Sequence, residues 1–209
     1  MTNTAVSTKP RKRSQRSLQT EQLLLATAKQ IFSEFGFEKA TTKEIAQAAQ
    51  VAEGTLFHHF PNKMSLLKGI MIVYYETLQE SADAIFNSHQ DSPARFRALV
   101  LNHLQSTESE WAILRVLGQY GRYGDHDFAE AFYQCNKKYT RLFVQVLEEL
   151  KTSLHIRSTV PTPLIRDTLF GSIEHFAIGH FGRGRAYDLD HFAEQLIDLI
   201  IFGSGQKVV

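Results

Sequence analysis

The sequence predicts an all-α protein, with an N-terminal three-helix helix-turn-helix domain and a C-terminal helical bundle, about nine helices in total. Apolar residues recur at helical spacing along most of the 209 residues, and no segment of useful length alternates as a strand would. Breakers such as Gly36, Pro61 and Asp91-Ser92-Pro93 separate the periodic segments. We expect a disordered arm over residues 1–17, the helix-turn-helix domain over 18–68 and the bundle over 69–209.

The charge of the chain is unevenly distributed. Residues 1–20 contain five cations and no acid, whereas the other 189 residues carry 18 basic and 22 acidic side chains, a net charge of −4. A basic arm on a slightly acidic body indicates a local contact with a polyanion, although a solubilising tail is the alternative. The single cysteine, Cys135, excludes an internal disulfide and fits a reducing cytoplasm, and no apolar run reaches the ~18 residues of a membrane span.

The first three helices are marked by local signals. The first should run over about 18–35 and end at Gly36, because glycine readily adopts the left-handed conformation of a helix cap. Its inward face carries Leu24, Ala28, Ile31, Phe32 and Phe35. Thr41 and Glu44 form a capping box at the start of the second helix, which should end near Ala49. The third is expected over about 53–59.

The later helices follow from apolar stripes and breakers. The fourth begins after Asn62, and the fifth, with His103 on its apolar face, follows Pro93. The remaining four are expected around 111–120, over 128–150, over about 164–181 and over about 188–202.

Two short helices joined by a tight turn form a helix-turn-helix. Ile45, Ala46 and Ala49 should face inward, with Val51 in the turn and Leu56 and Phe60 anchoring the second helix of the pair. The outward positions are then Gly54, Thr55, Phe57, His58 and His59. A helix presented in this way fits the major groove of DNA, with its N-terminal end at the bases.

Many positions at fixed spacing over about residues 20–68 resemble the TetR family of repressors. They are Ile31-Phe32, Gly36-Phe37, Thr41, Ile45-Ala46, Ala49, Val51, Gly54-Thr55-Leu56-Phe57, His59-Phe60, Lys63 and Leu66-Leu67. Three positions depart from the family pattern: Gln50 replaces the glycine of the turn, Ala52 replaces a serine, and Phe57 replaces a tyrosine. The resemblance implies a homodimeric, ligand-responsive repressor that binds a pseudo-palindromic operator.

By this resemblance Phe57, His59 and Lys63 contact the DNA backbone. Thr42, Lys43, Thr55 and His58 are candidates for contacts with bases or nearby phosphates, and the arm could reach a minor groove. The full set of expected DNA-binding residues is Arg11, Lys12, Arg13, Arg16, Thr41, Thr42, Lys43, Gly54, Thr55, Phe57, His58, His59 and Lys63.

Dense aromatic residues with a few polar groups among them indicate a small-molecule pocket beyond residue 69, although a large helical core has the same composition. The expected ligand-binding residues are Leu104, Trp111, Arg115, Gln119, Tyr123, Phe132, Cys135, Tyr139, Phe170, Glu174 and His175. The segments 170–175 and 187–189 resemble the FadR-type, acyl-CoA-responsive branch. This resemblance implies a fatty acyl-CoA or related lipid as effector, with an aromatic compound as the alternative.

The last two helices carry apolar stripes that are too wide for a solvent face. We expect them to form a four-helix dimer interface with a second copy, the alternative being packing within one chain. The expected interface residues are Leu169, Ile173, Phe176, Phe192, Leu196 and Ile200.

An enzyme is the rival class of protein. The sequence holds no His-Glu-x-x-His, paired cysteines, glycine-rich phosphate loop or Gly-x-Ser-x-Gly, so we expect no catalytic residue, metal or cofactor. The remaining alternative is a helical scaffold or enzyme in which the DNA-binding motif has decayed, which Gln50 and Ala52 favour slightly.

Overall fold

The all-α prediction is confirmed. The computed structural model describes residues 14–88, 91–153, 156, 159–183 and 187–203, and these contain nine α-helices, one short 3₁₀ turn and no strand. The helices are α1 (Gln15–Phe35), α2 (Thr42–Ala48), α3 (Glu53–His59), α4 (Lys63–Ser88), α5 (Ser92–Ser109), α6 (Trp111–Tyr123), α7 (His126–Thr152), α8 (Thr162–His180), the 3₁₀ turn Phe181–Arg183, and α9 (Leu189–Gly203).

The chain divides into two compact units, Met1–Leu67 and Lys68–Val209. The division falls inside α4, which continues from Lys63 to Ser88. The boundary of the two units is therefore a point within a helix.

In the first unit, α1 begins earlier than the sequence indicated. Ser14 caps it by accepting a hydrogen bond from the Ser17 amide at 3.2 Å, so residues 15–17 of the expected disordered arm are helical. The helix ends at Gly36 with φ 82°. Phe35 is exposed and not inward, and the buried ring beside Phe32 is that of Phe37, with ring centroids 5.1 Å apart.

The helix-turn-helix forms as predicted. The Thr41 amide donates to Glu44 Oε2 at 2.9 Å and the Glu44 amide donates to Thr41 Oγ1 at 3.2 Å, which completes the capping box. Hydrogen bonds from the Thr41 side chain and backbone lower the pKa of Glu44. After α2 the chain turns through Gln50 at φ 56°, and the Val51 amide donates to the Ala46 carbonyl at 3.0 Å.

The second unit is built around α7, which packs against α5, α6 and α8, while α5 packs against α9. Ion pairs reinforce two of these contacts: Arg95 with Glu149 joins α5 to α7, and Arg97 with Glu194 joins α5 to α9, both at 2.6 Å. The core includes large buried residues from α4, α5, α7, α8 and α9, so its middle is closed by the unit's own helices.

Candidate nucleic-acid interface and effector site

α3 presents a surface that the first unit does not use for its own packing. Leu56 and Phe60 are buried beneath it, whereas Gly54, Phe57 and His58 are exposed and Thr55 is partly exposed. Ala52 precedes the helix without a side-chain cap hydrogen bond, as its methyl side chain requires. The helix therefore offers a small residue at its start and larger side chains one turn later.

No packing contact among the described residues requires a glycine at position 54. A Cβ built at this position meets no heavy atom within 4 Å, and the backbone is not in the left-handed region. Glycine inside a helix costs about 1 kcal/mol relative to alanine. The protein's own packing would accept a larger residue here.

His59 does not face outward, so this expectation is wrong. Its side chain is only 9% exposed, and Nδ1 lies 3.8 Å from Glu21 Oε2 of α1. Its ring also lies beside Phe60, with centroids 6.4 Å apart. His59 is placed to hold α3 against α1, and the outward histidine of the pair is His58.

Lys63 is also placed differently from the expectation. Its ammonium donates to the carbonyls of Phe37, Glu38 and Ala40 at 2.7, 3.2 and 3.0 Å. It also lies 4.5 Å from the centre of the Phe37 ring. Three carbonyls occupy all three ammonium protons, so Lys63 has none left for a phosphate. It fixes the loop between α1 and α2.

The start of α2 is partly engaged within the unit. Thr41 belongs to the capping box, and Thr42 Oγ1 donates to Glu53 Oε1 at 3.0 Å, which ties the first turns of α2 and α3 together. Lys43 is exposed, and Arg16 is exposed in the first turn of α1. Arg11, Lys12 and Arg13 lie outside the described residues.

The second unit holds a cluster of rings at the junction of α4, α5, α7 and α8, which we call the aromatic chamber. His103 lies 4.9 Å from Phe170 and 5.6 Å from Tyr139 between ring centroids. Its Nδ1 is 3.2 Å from the Tyr139 hydroxyl. The chamber comprises Tyr74, Tyr75, His103, Phe132, Asn136, Tyr139, Phe143 and Phe170.

The polar groups of the chamber are uncharged at neutral pH. Desolvation lowers the pKa of His103 to about 4 and raises that of Tyr74 to about 12. Burial also raises the pKa values of Tyr75 and Tyr139. His103 nevertheless keeps part of its surface accessible, as do Tyr74, Tyr75 and Phe170. The ionisable groups of the chamber are therefore desolvated, although their residues keep part of their surface accessible.

Trp111, one of the ligand-binding residues expected from the sequence, is partly exposed at the start of α6 and packs against Phe181 outside the chamber contacts. The other expected ligand-binding residues divide into two groups. Phe132, Tyr139 and Phe170 belong to the chamber, Leu104 is fully buried in the surrounding core, and Cys135 is half-buried with its pKa raised chiefly by desolvation. The other group faces outward and is wrong for an internal site. It consists of Arg115, Gln119, Tyr123, Glu174 and His175.

These errors arose because the sequence pattern did not show which face of α6 or α8 is exposed. Tyr123 is 84% exposed near the end of α6, and Glu174 pairs with Arg122 at the surface. Sequence reasoning missed Tyr74, Tyr75, Asn136 and Phe143 as chamber residues, and His103 was noted only as a member of an apolar stripe. That stripe was the available signal, because an ionisable side chain on a buried helix face must find a partner.

Two buried polar atoms among the described residues have no hydrogen-bond partner, Gln79 Oε1 and Trp111 Nε1. Gln79 lies one turn beyond Tyr75 on the same face of α4, and its amide nitrogen donates to Asp83 at 3.1 Å. Trp111 packs against Phe181, with ring centroids 6.2 Å apart.

Some of the residues expected at the dimer interface on α8 and α9 are buried inside the unit itself. Leu169, Ile173 and Ile200 pack inside the unit's own core and are not available to a partner. Phe176, Phe192 and Leu196 border an open groove of about 780 Å³ between α8 and α9. Its other lining residues are Asp167, Thr168, Gly171, Ser172, His175, Gly179, His180, Gln195 and Leu199.

Comparison with known proteins decides the family. A family model described as bacterial regulatory proteins of the tetR family matches residues 24–70. A second, described as the C-terminal region of YsiA-like proteins, matches residues 73–203, more than half of the chain. The chain belongs to the TetR family of bacterial regulatory proteins. It is a DNA-binding transcriptional regulator that responds to a ligand, as the sequence predicted.

Three similar proteins place this TetR-family chain among its relatives. The HTH-type transcriptional repressor KstR2 of Rhodococcus jostii is 26% identical over 188 residues, 86% of this chain and 88% of that protein. The fatty acid degradation regulator FadR of Bacillus halodurans has a TM-score of 0.77 at 22% identity, over 87% of this chain and 98% of that one. FadR of Bacillus subtilis, in complex with stearoyl-CoA, has a TM-score of 0.78 at 19% identity, with the same coverage.

No helix among the described residues is both long enough and apolar enough to cross a membrane. Within the same part of the chain, no group of three histidine, cysteine, aspartate or glutamate side chains is arranged to hold a metal ion.

Proposed function

We propose that this TetR-family protein is a homodimeric repressor that binds a pseudo-palindromic operator through α3 and releases it when a fatty acyl-CoA enters the aromatic chamber. The observation that carries the proposal is the outward surface of α3, which the unit's own packing does not use. The alternative effector is a flat aromatic compound.

The proposed DNA contacts use the part of α3 that does not pack within the first unit. Gly54 lets the start of α3 approach a phosphate closely, because no Cβ stands between the helix backbone and the ligand. Thr55 and His58 are available for base edges, Phe57 for packing against the sugar-phosphate backbone, and Lys43 for a phosphate. The arm, including Arg11, Lys12, Arg13 and Arg16, adds charge-based affinity.

The dimer is proposed to form through the α8–α9 groove. Gly171 and Gly179 lie on the groove two helical turns apart, with His175 between them, so a second α8 can approach closely at the glycines. Ile178, Leu199 and Phe202 are large apolar side chains exposed on the same two helices. A second copy that covers them would complete a four-helix interface. To bind two half-sites, the two α3 helices of the dimer must reach successive major grooves about 34–36 Å apart.

The chamber supports an apolar effector. Its walls are aromatic, and its polar groups are neutral. Burial of an acyl chain contributes about 0.8 kcal/mol per methylene, so a long chain could supply the roughly 5.5 kcal/mol needed to move an equilibrium from 1:99 to 99:1. The relationship to the stearoyl-CoA-bound regulator of Bacillus subtilis favours this class over flat aromatics.

The proposed coupling runs along α4. Tyr74 and Tyr75 of this helix line the chamber, and Lys63 at its first position holds the loop between α1 and α2. A ligand that displaces the two tyrosines therefore acts on the helix that is fastened to the helix-turn-helix. Release results if this displacement changes the spacing between the two α3 helices of a dimer.

The test is fluorescence anisotropy of the protein on an operator selected from random duplexes. Acyl-CoAs of graded chain length should release the operator, with an optimum at a chain length that fills the chamber. If an aromatic compound released the operator and no acyl-CoA did, the proposed effector class would be wrong, but the proposal that the protein is a ligand-released repressor would stand.

A pair of glycine variants tests the DNA surface. Gly54 and Gly118 both have open space for a Cβ, so Gly54→Ala and Gly118→Ala should leave the fold intact. Operator affinity should fall at least tenfold for Gly54→Ala and stay unchanged for Gly118→Ala. Equal operator affinities of the two variants would contradict the proposed close approach of a phosphate to Gly54.

A further inference from the structure

We propose that the effector carries a carbonyl oxygen within its apolar body and that His103 Nε2–H donates a hydrogen bond to it. The inference rests on the proposed function, because it concerns the ligand of the same chamber. It goes further by stating which chemical group distinguishes the effector from a plain hydrocarbon chain.

The geometry places the imidazole in a wall of rings. Its centroid lies 4.9 Å from that of Phe170, 5.6 Å from Tyr139 and 6.3 Å from Phe143. The single hydrogen bond found for the ring among the described residues joins Nδ1 to the Tyr139 hydroxyl at 3.2 Å. Nε2 has no hydrogen-bond partner among these residues.

The hydrogen bond to Tyr139 selects the tautomer. Tyr139 is fully buried, and the described residues offer its hydroxyl hydrogen no acceptor other than His103 Nδ1. The hydroxyl therefore donates to Nδ1, because a buried O–H without an acceptor is costly. In the neutral imidazole the proton then sits on Nε2.

Nε2 is not enclosed by the core. The buried, unpartnered polar side-chain atoms of the described residues are Gln79 Oε1 and Trp111 Nε1, and His103 keeps part of its surface accessible. The ring thus offers one hydrogen-bond donor, unpaired among the described residues, beside the aromatic side chains of the chamber. Desolvation, which lowers the pKa of His103 to about 4, keeps this donor uncharged across the physiological range.

A neutral donor among aromatic rings selects an uncharged acceptor. A carboxylate would lose its hydration there without a cation in contact, which is costly. A ketone or ester carbonyl can accept from Nε2–H while its hydrocarbon neighbours pack against Phe170, which is partly accessible. A saturated chain leaves the donor unpaired, and sites with buried unpaired polar groups discriminate against such ligands.

Two sources could supply this carbonyl, an oxidised acyl chain or a cyclic ketone. The first arm of the experiment compares stearoyl-CoA with CoA esters of stearic acid that carry an oxo group at successive chain positions. The second compares fluorenone with fluorene, which have the same flat skeleton. Affinities of the full-length protein are measured by calorimetry, and operator release by anisotropy.

In the wild type, one oxo position, or fluorenone in the second arm, should bind about tenfold more tightly than its hydrocarbon partner. His103→Phe should abolish this preference, so that each oxo ester and stearoyl-CoA, or fluorenone and fluorene, bind the variant equally well. His103→Gln, which keeps an N–H donor, should retain part of it. His126→Phe, a change at an exposed histidine outside the chamber, is the matched control and should retain all of it.

The outcomes separate the inference from the proposed function. No preference in either arm, or a preference that persists in His103→Phe, overturns the inference; operator release by stearoyl-CoA would then leave the proposed function standing. If no probe binds, both the effector class and the inference fail. The wild-type ligand comparison holds even if His103→Phe does not fold.

Discussion

Gln50 is a residue held in an unfavourable backbone conformation by the turn around it. Its φ of 56° lies in the left-handed region, which costs a residue with a side chain about 1 kcal/mol or more. Two hydrogen bonds hold the turn, one from the Gln50 amide and one from the Val51 amide to carbonyls of α2. The sequence drew attention to this position because Gln50 replaces the glycine of the family pattern.

Gln50→Gly should raise the free energy of unfolding of the protein by about 1 kcal/mol, because glycine adopts this φ without a steric penalty. Gln47→Gly, inside α2 and equally exposed, is the control and should lower it by a similar amount. Urea unfolding measures both. A destabilising Gln50→Gly would mean that the glutamine side chain compensates for the strain.

Lys63→Met should lower the free energy of unfolding by about 1–3 kcal/mol, since three carbonyls lose a charged donor. The salt dependence of operator binding should stay the same, whereas loss of a phosphate contact would reduce the log–log slope by about 0.9 per contact. Lys39→Met, at an exposed position of the same loop, controls for charge. If Lys63→Met reduced the log–log salt slope and left the free energy of unfolding unchanged, Lys63 would contact a DNA phosphate after all.

His103 makes stability depend on pH. Its pKa is about 4 in the folded protein against 6.5 ordinarily, so between these values the unfolded chain binds more protons. The stabilisation is fully present above pH 6.5 and is lost as the pH falls towards 4. Between pH 7 and 4.5 the wild type should lose about 2–3 kcal/mol more than His103→Phe. Equal losses in urea unfolding would contradict a desolvated histidine.

The residues that sequence reasoning placed correctly are those governed by local rules. The capping box of Thr41 and Glu44 depends only on a three-residue spacing, and the structure contains it. The directions of His59 and Lys63 depend on where α1 and its following loop come to lie, which spacing within α3 does not determine. Such residues have partners distant in sequence, as Lys63 does in Phe37.

At the scale of elements, α8 and α9 show why an apolar stripe is ambiguous. The stripe located both helices, yet it contains residues facing the unit's own core, such as Ile173, and residues bordering the open groove, such as Phe192. Hydrophobicity alone does not separate the two faces when both are apolar. The same ambiguity explains why the aromatic chamber was only partly predicted.

Leu199→Glu should abolish the dimer and leave the protomer folded, because this side chain is exposed on the proposed interface. Ile173→Glu should instead unfold the second unit, since burying an unpaired charge costs several kcal/mol. Analytical ultracentrifugation and circular dichroism distinguish the two outcomes. If Ile173→Glu gave a folded monomer and Leu199→Glu stayed dimeric, the dimer interface would lie on the face that contains Ile173, as expected from the sequence.

At the scale of the whole molecule, operator and effector must influence each other reciprocally. If the effector weakens operator binding by a given factor, the operator must weaken effector binding by the same factor. We therefore expect the dissociation constant of stearoyl-CoA to rise in the presence of saturating operator by the factor measured in the anisotropy titration. Unequal factors would mean that the effector acts on another state, such as the monomer–dimer equilibrium.

The position of the unit boundary inside α4 constrains how the two units can be recombined. Each residue of an α-helix turns the chain by about 100°, so inserting one alanine near Leu67 would rotate everything downstream by that angle about the helix axis. Four alanines come within about 40° of a full turn. A chimera that joins this DNA reader to another sensor must therefore preserve helical phase, and its success depends on the register of the splice more than on the identity of the residues that meet there.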